Sequence, residues 1–149
     1  MRFVATGVVT FTLLLTCSSV PASNRDDSST AIAALETKAD RAQPRDRCFL
    51  YAELITRMTD LAGQQLNSGD SQRALETLKL MQRYAEKIHT GVLNGSKKLK
   101  SAELLMQGTS FRFKHILREA SYEDRPALEA TLQQLDKVQG QLMMEVFKK

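Results

Sequence analysis

The sequence predicts an all-α protein with an up-down-up-down four-helix bundle over residues 46–149. The chain has no Trp and only 6% aromatic residues, and strong helix formers are abundant. Four segments of about 20 residues repeat apolar side chains at steps of three and four. Because only a few residues link them, each helix must return beside its predecessor. We also expect a short extra N-terminal helix that packs on the third bundle helix.

The first 22 residues have the pattern of a secretory signal peptide. Arg2 precedes an apolar stretch, and small residues lead to a cleavage site after Ala22. The stretch is too short for a membrane span, which needs roughly 20 apolar residues. We therefore expect an exported protein, periplasmic or secreted, with no transmembrane segment. The alternative is a lipid anchor at Cys17, because residues 14–17 (LLTC) resemble a bacterial lipobox with Thr at the usual small-residue position.

Residues 23–45 are predicted to form a disordered lead and a short amphipathic helix. The lead, 23–30, is polar and charged and has no apolar period. Residues 31–42 then place three apolar side chains on one helical face: Ile32, Leu35 and Ala39. Pro44 marks the end of this helix.

The four bundle helices are separated by short polar links, and no proline interrupts their interiors. The first is expected to start at an Asp46 cap and the second at Asp70 or Ser71. In the last helix Pro126 falls in the first turn, where a missing N–H is harmless. A helical repeat array is the alternative, because residues 61–74 resemble one tetratricopeptide helical pair. That spacing occurs once, whereas such arrays need about three repeats, so we favour the bundle.

Cys48 is the single cysteine that remains if Cys17 leaves with the signal peptide. An intramolecular disulfide is then excluded, and packing must supply the stability. Two interpretations of Cys48 stay open. It is either a small buried hydrophobe at the start of the first bundle helix, or a thiol that reacts or forms an intermolecular bridge.

The third bundle helix departs from a plain amphipathic pattern, because Leu104 and Phe111 lie opposite its inward face. Such a helix needs cover on more than one side. Three arrangements around these two side chains are possible. The short helix within residues 31–42 folds back over the two side chains, a second copy of the chain packs there as a homodimer, or the patch stays exposed and receives a ligand. We favour the first.

Basic residues are concentrated on the same helix. The chain has a net charge of +4, and residues 96–121 alone contain six basic and two acidic residues. Three of the six stand at the helix start, where the helix dipole is already positive and disfavours cations. Two interpretations are open: the cluster binds an anionic partner, or it is an ordinary solvated face. Nucleic acid is not expected because no recognised binding motif is present. The candidate residues for an anionic partner are Lys97, Lys98, Lys100, Arg112, Lys114 and Arg118.

We predict no catalytic residue, no metal site and no cofactor. Glu86 and His89 form one Glu-x-x-His, whereas di-iron bundles use two, and Arg112 takes the acidic position before His115. The sequence has no C-x-x-C-H haem motif and no motif for an activated nucleophile. We therefore expect a non-enzymatic exported protein that binds a protein or an anionic envelope component through the third bundle helix. The alternative is a bundle that holds a small ligand, haem or metal in its core.

Overall fold

The computed structural model describes residues 23–92 and 97–148, and within these ranges it contains five α-helices. The last four of them form an up-down bundle, which confirms the predicted architecture. The predicted signal peptide and Cys17 lie outside the described residues. In the part of the chain described, no helix is long and apolar enough to cross a membrane. The helices are α1 (Ser23–Arg41), α2 (Pro44–Asn67), α3 (Ser71–Val92), α4 (Leu99–Glu119) and α5 (Arg125–Phe147).

The four bundle helices enclose one core. Helices α3 and α4 each contact both α2 and α5, so α2 and α5 are diagonal partners. Every helix contributes a fully buried large side chain, since Leu54, Met81, Phe113 and Leu135 are each 0% exposed. Full burial of each such side chain contributes roughly 1.5–3 kcal/mol. Cys48 is buried beside them, as the first interpretation of this residue requires.

The helix ends follow local chemistry, with one difference from prediction. Helix α2 begins at Pro44 with Gln43 as its N-cap, so Asp46 lies in the first turn and is not the cap. Proline suits this position because its fixed φ is already helical and its missing N–H has no partner to lose. The α2–α3 link turns at Gly69, whose φ of 74° is a conformation that side chains with a Cβ disfavour.

Helix α1 is longer than predicted and lies elsewhere. It begins at Ser23, so residues 23–30, expected as a disordered lead, are helical. Once the apolar stripe docks, each added residue gains a backbone hydrogen bond at little further cost. The helix packs on α2, so the expectation that it covers the third bundle helix, α4, was wrong. Leu104 and Phe111 stay 55% and 74% exposed.

Polar contacts complete the attachment of α1. The Tyr84 hydroxyl of α3 donates to Glu36 Oε1 at 2.7 Å. Burial, and then this hydrogen bond, raises the pKa of Tyr84 above its ordinary value. The Arg47 guanidinium donates to the carbonyl oxygens of Ala42 and Asp40 at 2.9 and 3.1 Å. Asp40 is in the last turn of α1 and Ala42 directly follows the helix, where carbonyl oxygens have no intrahelical donor, so Arg47 caps the helix from α2.

Candidate functional site

The six predicted basic residues do not form one surface. Arg112 forms an ion pair with Asp60 of α2 at 3.4 Å, and Lys114 pairs with Asp136 of α5 at 3.3 Å. Two residues apart on a helix point to opposite flanks, which explains why their partners lie on different neighbours. Both pairs are half exposed, and such pairs contribute only ~0–1 kcal/mol. Even so, the carboxylates largely balance the positive charges of Arg112 and Lys114, so neither residue is a strong candidate for binding an anionic partner.

The other four basic residues lie at the two ends of α4. Lys97, Lys98 and Lys100 are at its start and Arg118 is in its last turn, and all four are exposed. None of the four forms an ion pair with a residue in 23–92 or 97–148. Lys100 and Arg118 are about 27 Å apart along the helix at ~1.5 Å per residue. Both ends of α4 therefore carry positive charge that no ion pair within the described residues balances.

Two exposed apolar side chains, Leu104 and Phe111, lie between these ends on the face of α4 that points away from the core. We call this face the outer stripe of α4. Its members follow steps of three and four and are all exposed. A Cβ built on Gly108 would meet no neighbour, so this glycine, costing roughly 1 kcal/mol in a helix relative to Ala, has no packing role within the described structure. The outer stripe consists of Lys100, Leu104, Gly108, Phe111, His115 and Arg118.

A second cationic surface was not found from the sequence. A groove of about 550 Å³ lies between α1, α2 and the start of α4, and we call it the α1–α2 groove. Its apolar wall includes Phe49 and Leu50, and its rim carries Lys38, Arg41 and Lys98. Two of these cations come from α1. The sequence pattern predicted α1 on α4 and not on α2, so these cations were not expected beside Phe49 and Leu50.

Lys98 joins the groove under unfavourable local conditions. It is the N-cap of α4, with φ 57° and ψ 29°, and its side chain makes no capping hydrogen bond. A side chain with a Cβ in this left-handed conformation costs roughly 1–2 kcal/mol, and a cation is unfavourable at a helix start. Its Nζ lies 5.2 Å from the centroid of the Phe49 ring, within cation–π range. The Lys97 N–H holds this helix start on α2 through the Arg45 carbonyl oxygen, at 2.7 Å.

The Glu-x-x-His pair of the sequence, which was not predicted to bind a metal, lies on a different side of the bundle. Glu86 and His89 line a groove between α3 and α5, together with Gln133, Gln134 and Lys137. His89 Nδ1 contacts Gln141 Oε1, while His115 lies on the outer stripe beside Glu119. Over residues 23–92 and 97–148 no three His, Cys, Asp or Glu side chains are grouped to hold a metal ion.

Both cationic surfaces combine apolar side chains with positive charges that form no ion pair in the part of the chain that the structure describes. This chemistry suits an anionic molecule that also has an apolar part, since charge attracts it and apolar contact retains it. The two surfaces share no residue. The outer stripe is long and convex, whereas the α1–α2 groove is short and concave. No protein-family model, no curated protein and no solved structure matches this chain.

Proposed function

We propose that this protein is an exported, non-enzymatic binding protein that docks an acidic partner protein on the outer stripe of α4. The observation that carries the proposal is the exposure of Phe111, 74%, and Leu104, 55%, between Lys100 and Arg118. Aromatic residues and arginine are enriched among the side chains that dominate binding energy at interfaces. The signal peptide predicted at residues 1–22 supports export.

The charges of α4 support an acidic partner in place of a second copy. In an antiparallel pair of α4 helices, Lys100 of one copy would face Arg118 of the other. Like charges brought together at an interface disfavour that partner. An amphipathic helix with acidic ends and an apolar middle complements the stripe, and about 18 residues of helix would match its ~27 Å length.

The core of the bundle is filled with side chains where α4 faces it. The inward positions of α4 hold Met106 and Phe113, both 0% exposed and packed in the core. These side chains occupy the space that a haem or a small ligand would need between the helices.

The proposal is tested by site-specific photo-crosslinking in the compartment to which the protein is exported. A photoreactive phenylalanine analogue replaces Phe111, and in a control protein it replaces Tyr122, which is 90% exposed and lies outside the stripe. We expect Phe111, and not Tyr122, to capture one acidic protein. Phe111→Ala and Arg118→Gln should each weaken its affinity by about tenfold or more.

Added salt should also weaken the wild-type complex, because exposed charges are screened over roughly 10 Å at 0.1 M salt. Equal capture from both positions, or an affinity that Arg118→Gln does not change, would contradict the proposal. Crosslinks to lipid or glycan alone would replace the partner protein by an anionic envelope component.

A further inference from the structure

We propose that the α1–α2 groove binds an anionic amphiphile, a single alkyl chain that carries a phosphate group. The groove shares no residue with the outer stripe, so this inference does not depend on the proposed function. Its volume of about 550 Å³ lies within the ~300–1,000 Å³ typical of small-molecule sites.

The wall of the groove suits an alkyl chain. Phe49 and Leu50 of α2 form one side, and the other side includes Ala34 of α1 and Ala42, the residue that follows α1. The two alanines project no further than a methyl group, which leaves the space between the helices open. Apolar surface on both sides lets a chain leave water without displacing a core residue.

The rim suits a phosphate group. Lys38, Arg41 and Lys98 supply three positive charges, and Asp46 supplies one negative charge. The resulting charge of +2 matches a phosphate monoester, which carries about −1.5 to −2 at neutral pH. Lysine and arginine form short, strong hydrogen bonds with phosphate oxygens.

Lys98 is the residue that distinguishes a binding site from a chance cluster. Lys38 and Arg41 stand in the last turn of α1, where cations stabilise the helix end. For Lys98 the backbone gives no such explanation, because its left-handed conformation, missing cap bond and position at a helix start all disfavour lysine, and only the contact of its Nζ with the Phe49 ring favours it. A ligand held by its ammonium group would account for lysine at this position.

The size of the groove argues against a helical partner. Along α1 it extends only from Ala34 to Ala42, the residue that follows the helix, about 12 Å at ~1.5 Å per residue. That is less than half the length of the outer stripe. A small amphiphile fills such a site, whereas a docked helix would extend beyond it at both ends.

The test uses isothermal titration of the purified protein with decyl phosphate, below the concentration at which it forms micelles. We expect saturable binding at one site per chain. Inorganic phosphate, decanol and decyltrimethylammonium should each bind at least about tenfold more weakly, because each lacks one of the two recognised features. Inorganic phosphate that binds as tightly as decyl phosphate would overturn the role of the chain. Decanol or the cationic amphiphile binding as tightly would overturn the role of the charge.

Three variants assign the binding to this groove. Lys98→Gln should weaken decyl phosphate binding by about tenfold, and Ala34→Phe should weaken it similarly by filling the space. Lys98→Gly should also lose binding, although glycine removes the strain of the left-handed backbone. Its unfolding temperature should equal or exceed that of the wild type, which would show that binding is lost without loss of folding. The matched control is Lys100→Gln, two residues away and outside the groove.

Equal losses from Lys98→Gln and Lys100→Gln would show general charge attraction and overturn the assignment. So would full binding by Ala34→Phe. Phe111→Ala should leave decyl phosphate binding unchanged, because that residue belongs to the other surface. This last variant keeps a failure of the groove distinct from a failure of the proposed function.

Discussion

Helix α1 and the outer stripe of α4 are two regions where an apolar pattern needed a partner, and the fold treats them differently. On α1, Ile32, Leu35 and Ala39 are buried, at 8, 7 and 0% exposure. On the outer stripe, Leu104 and Phe111 are left in solvent. The apolar pattern of one helix therefore does not show which neighbour will cover it. The apolar faces of the possible neighbours have to be compared as well.

Helix α2 competes better for α1 than α4 does. Residues 48–55 read CFLYAELI, in which Glu53 is the one charged residue. A helix that is apolar nearly all round must be covered on several sides, and this segment is buried from Cys48 to Ile55 except at its partly exposed Phe49 and Glu53. A link of two residues joins α1 to α2, so bringing these two helices together costs little chain entropy.

The largest expected effect contrasts the inside and the outside of α4. Phe113→Ala should lower the free energy of unfolding by ~3–5 kcal/mol, because Phe113 is 0% exposed and truncation leaves a cavity. Phe111→Ala, two residues earlier, should change it by no more than ~0.5 kcal/mol. Urea unfolding followed by circular dichroism measures both. A loss above ~1.5 kcal/mol from Phe111→Ala would mean that the outer stripe is packed after all.

A smaller effect is expected from the buried face of α1. Leu35→Ala should cost about 2 kcal/mol, the lower end for buried leucines, because α1 lies at the edge of the core. Amide hydrogens of α1 should then exchange faster, while those of α4 keep their protection. Thr37→Ala, at an exposed position of the same helix, is the control.

Hydrophobic-dye binding locates the surface that α1 covers. Loosening α1 by Leu35→Ala should raise dye binding, and the added binding should persist in Leu35→Ala combined with Phe111→Ala. If Phe111→Ala removes the increase, α1 shields the outer stripe in solution and the contrast between the two regions is wrong.

The bundle could be predicted because its pattern is local to each helix. Steps of three and four identified the inward faces, and Phe113 and Leu135 are buried as expected. The place of α1 could not be predicted as easily, because it depends on which of two apolar helices offers the better surface. The run at 48–55 was the signal that would have favoured α2. The α1–α2 groove follows from that placement, so no pattern within a single segment could reveal Lys38, Arg41 and Lys98 as neighbours.

The smallest expected effect concerns the polar attachment of α1 and depends on pH. Tyr84→Phe removes the hydrogen bond to Glu36 and should cost about 1 kcal/mol at neutral pH. The folded state raises the pKa of Tyr84 above 10.0, so the protonated hydroxyl stabilises the fold fully below pH 10. That contribution is lost as the pH rises above 10 toward the pKa of the folded state. The stability difference between wild type and Tyr84→Phe should therefore shrink between neutral pH and about pH 11. Urea unfolding of both proteins at several pH values measures it, with exposed Tyr122→Phe as the control. A difference that stays constant with pH would mean that the Tyr84 hydroxyl is neither shielded from water by burial nor hydrogen-bonded to Glu36 in the folded protein.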